Sequence, residues 1–416
     1  MTKKKIYLDH GATTPVDKEV LEAMLPYFSE KYGNAASHHF FGKDGCKAVE
    51  AARNEAAIFF HANPEEIIFT SGATESNNLA VKGIIKRAKI EGAKPHIITT
   101  AFEHHCVLDA CGAMQKEGLA EVTFLNPEAD GVISVKSVEE AIKPNTVLIS
   151  VMYVNNEIGT LQPIAAIGAM IKKENASREN KIYFHTDATQ AVNYFNCDVD
   201  DLGVDMLSMS AHKIYGPKGV GLLYIRKGTL IARIQDGGDH EGGKRAGTLN
   251  VPGIVGLGKA LELAGKNNKK DAKKIAKLRD RLIDRALAEI PDTFLNGSRE
   301  FRSPNNANIS FRNVEGESLL MLLDMAGIAV STGSACSSDS LAPSHVLLAI
   351  GRKAEEAHGS IRMTLGKNNT EEEIDYTVEK LKESAEKIRK ISGQVLDDFY
   401  KAKEKGVVEE EHERRH

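Results

Sequence analysis

Short apolar runs alternate along this chain with longer segments whose apolar residues recur every three or four positions. Runs at Ile67 to Phe69, His96 to Thr100, Val122 to Leu125, Val147 to Val154, Lys181 to Thr186, Val204 to Met209 and Val220 to Ile225 predict strands. Between them, Val138 to Ile142 and Ile164 to Ile171 predict helices, as does the stretch after Glu103-His-His105. Ser71-Gly-Ala-Thr74 turns into a helix with Leu79, Ile84, Ile85 and Ala88 on its apolar face. Nearer the N-terminus a short strand from Ile6 runs into a turn. Pro15 is placed there to begin a helix carrying Val20, Leu21, Met24 and Leu25. Gly33 to Gly42 is a polar loop rich in His and Asn; the plainer alternative is a surface loop with Phe40 and Phe41 facing the core. Strands alternating with helices predict an α/β fold whose mainly parallel sheet is covered on both faces.

The character changes at the charged stretch Lys266 to Lys274. The helix predicted after it carries Ile275, Leu278, Leu282, Ile283 and Leu287 on one face. Strands follow at Asn308 to Phe311, Ile328 to Val330 and Ser360 to Leu365, with helices at Glu317 to Met325 and Pro343 to Ile350. Thr370 and Glu373 form a capping box for a long final helix with Ile374, Val378, Leu381, Ala385 and Ile388 inward. This part reads as a smaller α+β domain, and the charged tail after Lys401 as loosely ordered.

In parallel sheets, ligands sit beyond the carboxyl ends of the strands. Thr74, His104, Asn156, Asp187, Gln190 and Lys213 all fall just past a predicted strand end. Each alone could be a cap or a turn residue; six convergent polar groups are hard to explain that way. The small residues Ser71 to Thr74 leave backbone N–H groups at a positive helix end, a phosphate cradle or simply a capped helix start. Lys213 lies between two apolar runs, in Ser208-Met-Ser-Ala-His-Lys-Ile-Tyr-Gly-Pro-Lys-Gly219. An amine desolvated there has a lowered pKa and is nucleophilic, which suits a Schiff-base lysine beside a phosphate. From these residues alone, a lysine snorkelling to a loop surface explains the stretch equally well.

Composition narrows the class. The chain has 416 residues, 42% apolar and 27% charged, ordinary for a globular protein of two or three domains. A net charge of −4 gives no reason to expect nucleic acid. No apolar stretch approaches the ~18 residues of a membrane span, and Ile6-Tyr-Leu-Asp9 after three lysines is no signal-peptide core. Five scattered cysteines fit a reducing cytoplasm, and the lack of a second ligand pair beside Cys106 and Cys111 makes a zinc site unexpected. Cys336 differs from the others. It sits in Ser331-Thr-Gly-Ser-Ala-Cys-Ser-Ser-Asp-Ser-Leu341, whose residues cannot pack a core and favour mobility. A thiol in that setting reads as reactive, against the commoner small buried cysteine.

The stretch Ser210-Ala-His-Lys-Ile-Tyr-Gly-Pro-Lys-Gly219 resembles the lysine motif of the class V aminotransferase-fold enzymes. With Gly72-Ala-Thr-Glu-Ser76, Glu103-His104, Val154-Asn-Asn-Glu-Ile-Gly159, Asp187-Ala-Thr-Gln190 and Ser334-Ala-Cys-Ser337, the chain looks like a cysteine desulfurase of the NifS/IscS type from Tyr7 to the final helix. The resemblance implies an aspartate aminotransferase-like fold of type I. A large domain over residues 16–262 would bind pyridoxal 5'-phosphate, residues 1–15 and 263–401 would form the small domain with the Cys336 loop, and 402–416 the tail. It implies that Lys213 holds the cofactor, Asp187 pairs with the ring nitrogen, Gln190 reaches the phenolic oxygen, and His104 stacks on the ring and assists proton transfer. Ala73, Thr74, Ser210 and His212 would hold the phosphate, with Thr248 reaching in from a second subunit. Asn156 and Arg362 would grip the substrate carboxylate. Cys336 would take sulfur from L-cysteine as a persulfide, release L-alanine, and deliver the sulfur to an acceptor protein, for iron–sulfur cluster assembly or other sulfur-containing cofactors. A cytoplasmic homodimer is implied, with no metal, membrane or nucleic acid. A selenocysteine lyase or another lyase on the same fold, or a silent scaffold, is the alternative. Gly11, Ala35, Gly242 and Ala246 depart from the family's usual residues at the subunit-contact loop and first motif.

Overall fold

The computed structural model describes residues 5–88, 94–332 and 342–404, with side chains as far as Ile391. In chain order the first elements are β1 (Ile6–Tyr7), α1 (Lys18–Met24), α2 (Pro26–Ser29), α3 (Phe40–Phe60), β2 (Ile67–Thr70), α4 (Ala73–Arg87), β3 (His96–Thr100), α5 (His105–Lys116) and β4 (Glu121–Leu125). Then come α6 (Val135–Glu140), β5 (Thr146–Ser150), α7 (Ile164–Asn175), β6 (Tyr183–Asp187), α8 (Val199–Leu202), β7 (Met206–Ser210), β8 (Gly221–Ile225) and α9 (Val251–Glu289). The last are β9 (Thr293–Leu295), β10 (Asn306–Phe311), α10 (Gly316–Met325), β11 (Ile328–Ala329), α11 (His345–Ala349), α12 (Ala354–His358), β12 (Ser360–Thr364) and α13 (Glu371–Glu404).

Seven strands form one sheet in the order β2-β8-β7-β6-β5-β3-β4. The run from β4 to β7 is parallel, and β8 lies antiparallel to both β7 and β2. β2 therefore points the same way as β7. Successive side chains leave opposite faces of a strand, and both faces here are apolar. Ile68, Ile97, Leu148, Met206 and Leu223 pack against Leu79, Ile84, Val107 and Met114 of α4 and α5. Phe69, Ile98, Ile149, Phe184, Leu207 and Leu222 pack the other way, against residues of α3, α7 and α9. A second apolar cluster gathers Leu8, Leu282, Ile309, Leu319, Ile361 and Leu381 around the β12-β10-β9 sheet.

The expected strands are present, β3 at its expected bounds and no end moved by more than four residues. Several expectations are corrected. Pro15 precedes α1 rather than opening it; Asp17 is the N-cap, accepting from the Glu19 N–H at 3.0 Å. Only Val20 and Met24 of that helix are buried, because Leu21 and Leu25 face outward. Phe40 and Phe41 do not face the core: they open α3, a helix absent from the sequence reading, with exposed rings. The charged stretch Lys266 to Lys274 is no break, since α9 runs straight through it for 39 residues. The capping box of α13 is present, with Thr370 N donating to Glu373 and Glu373 N donating to Thr370 Oγ1, both at 3.3 Å. The loop carrying Cys336 and the tail from 405 lie outside the described residues. Among the described residues no helix is long and apolar enough to cross a membrane.

Candidate active site at the carboxyl edge of the sheet

Because β2, β3, β5, β6 and β7 run in one direction, the segments that follow them emerge on one edge. There they line a cavity of about 710 Å³. Ala73, Thr74, His104, Asn156, Asp187, Gln190, Ser210, His212, Lys213 and Arg362 all reach it. Thr248 does not line it and is exposed on this chain. Cys336 lies outside the described residues; described residues on either side of it are held by hydrogen bonds. Ser331 lines the wall and is hydrogen-bonded through its backbone to Arg362. On the far side, Ser344 Oγ donates to the buried Glu157 carboxylate at 2.5 Å and His345 Nε2 lies 2.9 Å from the Glu103 carbonyl.

Gly72, at φ 152°, makes the turn from β2 into α4 that a residue with a Cβ rarely adopts. No side chain caps α4. Its first turn lines the cavity together with His212, Lys213 and Lys218, so a positive helix end and two lysines share one wall.

Lys213 follows β7 in a tight turn, and its Nζ donates to the carbonyl oxygens of Gly11 at 2.5 Å and Ala12 at 2.7 Å. Gln190 Nε2 donates to the same Gly11 oxygen at 3.0 Å. Asp187 ends β6, nearly buried, with Oδ1 accepting from Thr189 N at 2.9 Å and Oδ2 from Asn77 Nδ2 at 2.6 Å. Beneath it, His185 is clasped by Ser150 and Ser208 at 2.8 and 3.0 Å, and burial lowers its pKa to about 4. Burial, with help from Lys213 and Lys218, also lowers that of His212 to about 4. Glu103 and Glu157 are buried carboxyls pushed up to about 8 and about 7 by desolvation. Arg362 donates to Asp9 at 3.0 Å and to the Asn156 carbonyl at 3.1 Å. Among the described residues its Nε, Asn156 Oδ1 and Thr189 Oγ1 are buried without a partner. Such atoms at a cavity wall call for a polar ligand.

Sequence reasoning missed the supporting groups. Asn77 and Cys106 tie Asp187 to His104, and the Gly11 and Ala12 carbonyls receive Lys213. The signal for Asn77 was its place on the helical face that also carries Ala80, Val81 and Ile84, where a buried amide needs a partner. Gly11 has a steric reason, because a Cβ there would lie 3.0 Å from Thr364 Cγ2 and Oγ1. Gly242 takes φ 62° beside Glu241, whose carboxylate is gripped by Arg53 at 2.6 and 3.0 Å and by Phe69 N at 2.8 Å.

These residues fit pyridoxal 5'-phosphate. The open end of α4 suits a phosphate, the Asp187 carboxylate a protonated ring nitrogen, the Lys213 amine a carbonyl carbon, and the unpaired Arg362 and Asn156 atoms a carboxylate.

Comparison with known proteins agrees. Residues 6–377 match the Aminotransferase class-V family. The cysteine desulfurase IscS of Dictyoglomus turgidum is 50% identical over 390 residues, covering 94% of this chain and 97% of that protein. A solved NifS-like protein superposes with a TM-score of 0.84 at 39% identity, over 91% of this chain and 99% of that one. A solved complex of SspA with cysteine superposes with a TM-score of 0.76 at 38% identity, over 88% of this chain and 100% of that one. The chain belongs to the class V aminotransferase family and, within it, to the pyridoxal phosphate-dependent cysteine desulfurases.

Proposed function

We propose that this enzyme takes sulfur from L-cysteine onto Cys336 and passes it to an acceptor protein, releasing L-alanine. The observation that carries this reading is the union of a lysine amine, a buried carboxylate and a carboxylate-binding arginine around one cavity, on whose wall Ser331 begins the Cys336 segment. Cys336 is five positions beyond Ser331 (336 − 331), close enough in chain length to reach a bound substrate.

When bound, the cofactor supplies an electron sink for the substrate's Cα. Asp187, fixed by Asn77 and Thr189, keeps the ring nitrogen protonated. Gln190 holds the phenolic oxygen, and Ala73, Thr74, Ser210 and His212 hold the phosphate, joined by Thr248 of a second copy. Asn156 and Arg362 orient the substrate carboxylate. Lys213, whose Nζ donates to the Gly11 and Ala12 carbonyls, would hold the cofactor and would move the proton at the substrate's Cα. The Cys336 thiolate then attacks the substrate sulfur. The Cβ–S bond breaks as the S–S bond forms, its electron pair and a proton end on carbon, and the products are alanine and a persulfide with no external oxidant required. Cys336 then passes the outer sulfur to a thiol of the acceptor protein.

A homodimer is supported by the stacked Tyr32, Phe41 and Phe40 rings, of which Phe40 is 71% and Tyr32 63% exposed, a large apolar patch for a lone chain. The two apolar clusters support a division into residues 16–262 and the remainder, bridged by α9. The free thiols of Cys46, Cys106, Cys111 and Cys197 support a reducing cytoplasm. Iron–sulfur cluster assembly is the proposed destination of the sulfur, with other sulfur-containing cofactors served by the same chemistry.

The test gives the purified protein L-cysteine and a reductant and follows alanine and sulfide. Both should form in equal amounts, from a protein coloured yellow by its cofactor. A colourless protein without turnover would make it a scaffold; turnover of selenocysteine but not of L-cysteine would make it a selenocysteine lyase.

A further inference from the structure

The imidazole of His104 is the N-cap of α5. The backbone N–H of Cys106 donates to its Nδ1 at 3.2 Å. An amide N–H can only donate, so Nδ1 must keep its lone pair, and a neutral imidazole so placed carries its proton on Nε2. The Cys106 sulfur lies 3.0 Å from the same Nδ1. Asn77 sets the direction of that second contact. Its Nδ2 donates to Asp187 Oδ2 at 2.6 Å and to Cys106 Sγ at 3.0 Å. The Asp187 carboxylate only accepts, which fixes the amide's orientation and spends both its protons. The sulfur is then an acceptor from Asn77, and its own proton points to Nδ1. Nδ1 therefore faces two donors, while Nε2 is the ring nitrogen left for the cavity that His104 lines. Burial, opposed by Asp187 and reinforced by Lys213, also lowers the pKa of the imidazole.

We propose, resting on the desulfurase reading of this cavity, that Cys106 is a positioning residue whose backbone N–H locks His104 as the Nε2–H tautomer, with the thiol and Asn77 linking that lock to Asp187. His104 then meets cofactor and substrate as a hydrogen-bond donor. A proton arriving at Nδ1 would displace the cap of α5, and a proton leaving Nε2 would leave an imidazolate. Proton acceptance from the substrate therefore belongs to Lys213 Nζ.

The tautomer is read directly by long-range proton–nitrogen correlation on protein labelled with nitrogen-15 histidine, in both the cofactor-free and loaded forms. The His104 signals are identified as those lost in His104→Ala. The expected pattern is a bare Nδ1 and a protonated Nε2 from about pH 7 to about pH 9; a protonated Nδ1 in that range overturns the proposal. Cys106→Ala keeps the amide donor and should keep the Nε2–H tautomer, and its loss there would also overturn the lock. Cys106→Pro removes that donor at a first-turn position, where no helical hydrogen bond depends on it. It should admit the second tautomer and lower kcat about tenfold with KM little changed, whereas an unaltered tautomer there contradicts the lock. Failure of the wild type to release alanine from L-cysteine would sink the functional reading and leave the tautomer measurement standing.

Discussion

Asp187 is useful at this site because of what holds it. Its two oxygens take the Thr189 N–H and the Asn77 amide, and Asn77 also serves the Cys106 sulfur. Asn77→Ala leaves a buried carboxylate oxygen and a buried sulfur without a donor. The expected loss is about 1–3 kcal/mol of stability by chemical denaturation, together with weaker retention of the yellow cofactor on dialysis. Stability and retention both equal to wild type would show that Asn77 does not support Asp187. The residues legible in the sequence, Lys213, Asp187, His104, Asn156 and Arg362, are side chains lodged in compact motifs, most of them at a strand's end. Those that were not legible act through backbone atoms, such as the Gly11 and Ala12 carbonyls, or through a partner far along the chain. Asn77 and Asp187 are 110 positions apart, a pairing that no local pattern reports.

At the scale of elements, every strand but the three-residue β9 was legible, because the apolar runs are short and bounded by turn residues. Several helices were not, among them the short α2, α8 and α12 and two long ones. The start of α3, with Gly42 and Gly45 and a histidine as N-cap, looks like a loop. The charged stretch inside α9 looks like a linker, yet Lys, Asp, Asn and Ala all tolerate a helix. The apolar stripe in fact stays in phase across it, from Ala264 to Ile275, 11 positions or three turns (275 − 264). Between β3 and α5 stands Glu103, whose Oε1 accepts from Thr100 Oγ1 at 2.9 Å and Met152 N at 2.7 Å while burial raises its pKa to about 8. The folded chain then holds a proton on Glu103 between its ordinary value of 4.5 and about 8, where the unfolded chain does not. Its contribution to stability is full below 4.5 and is lost as pH rises through about 8. Stability of the cofactor-free protein should therefore fall more steeply from about pH 6 to about pH 9 in wild type than in Glu103→Gln, measured by urea melts. Parallel slopes would mean that Glu103 is ionised in the fold.

For the whole molecule, the fold class follows from the strand–helix alternation, whereas assembly is a property of surfaces that periodicity does not rank. The expectation that Phe40 and Phe41 could face the core failed because their burial, on the reading proposed here, comes from a second copy. Phe40→Asp should shift sedimentation from dimer toward monomer and reduce cofactor retention, since Thr248 would no longer reach its neighbour's phosphate site. A variant that stays dimeric would move the interface elsewhere. The central claim is that a buried site activates L-cysteine while a thiol on the adjoining loop takes its sulfur. It is tested most directly by mass spectrometry of the peptide carrying Cys336 after one brief exposure to L-cysteine without reductant. One added sulfur atom on Cys336, absent in Cys336→Ala and accompanied by an equal amount of alanine, is the predicted result. Alanine formed at the wild-type rate by Cys336→Ala, with no sulfur on that peptide in wild type, would contradict it.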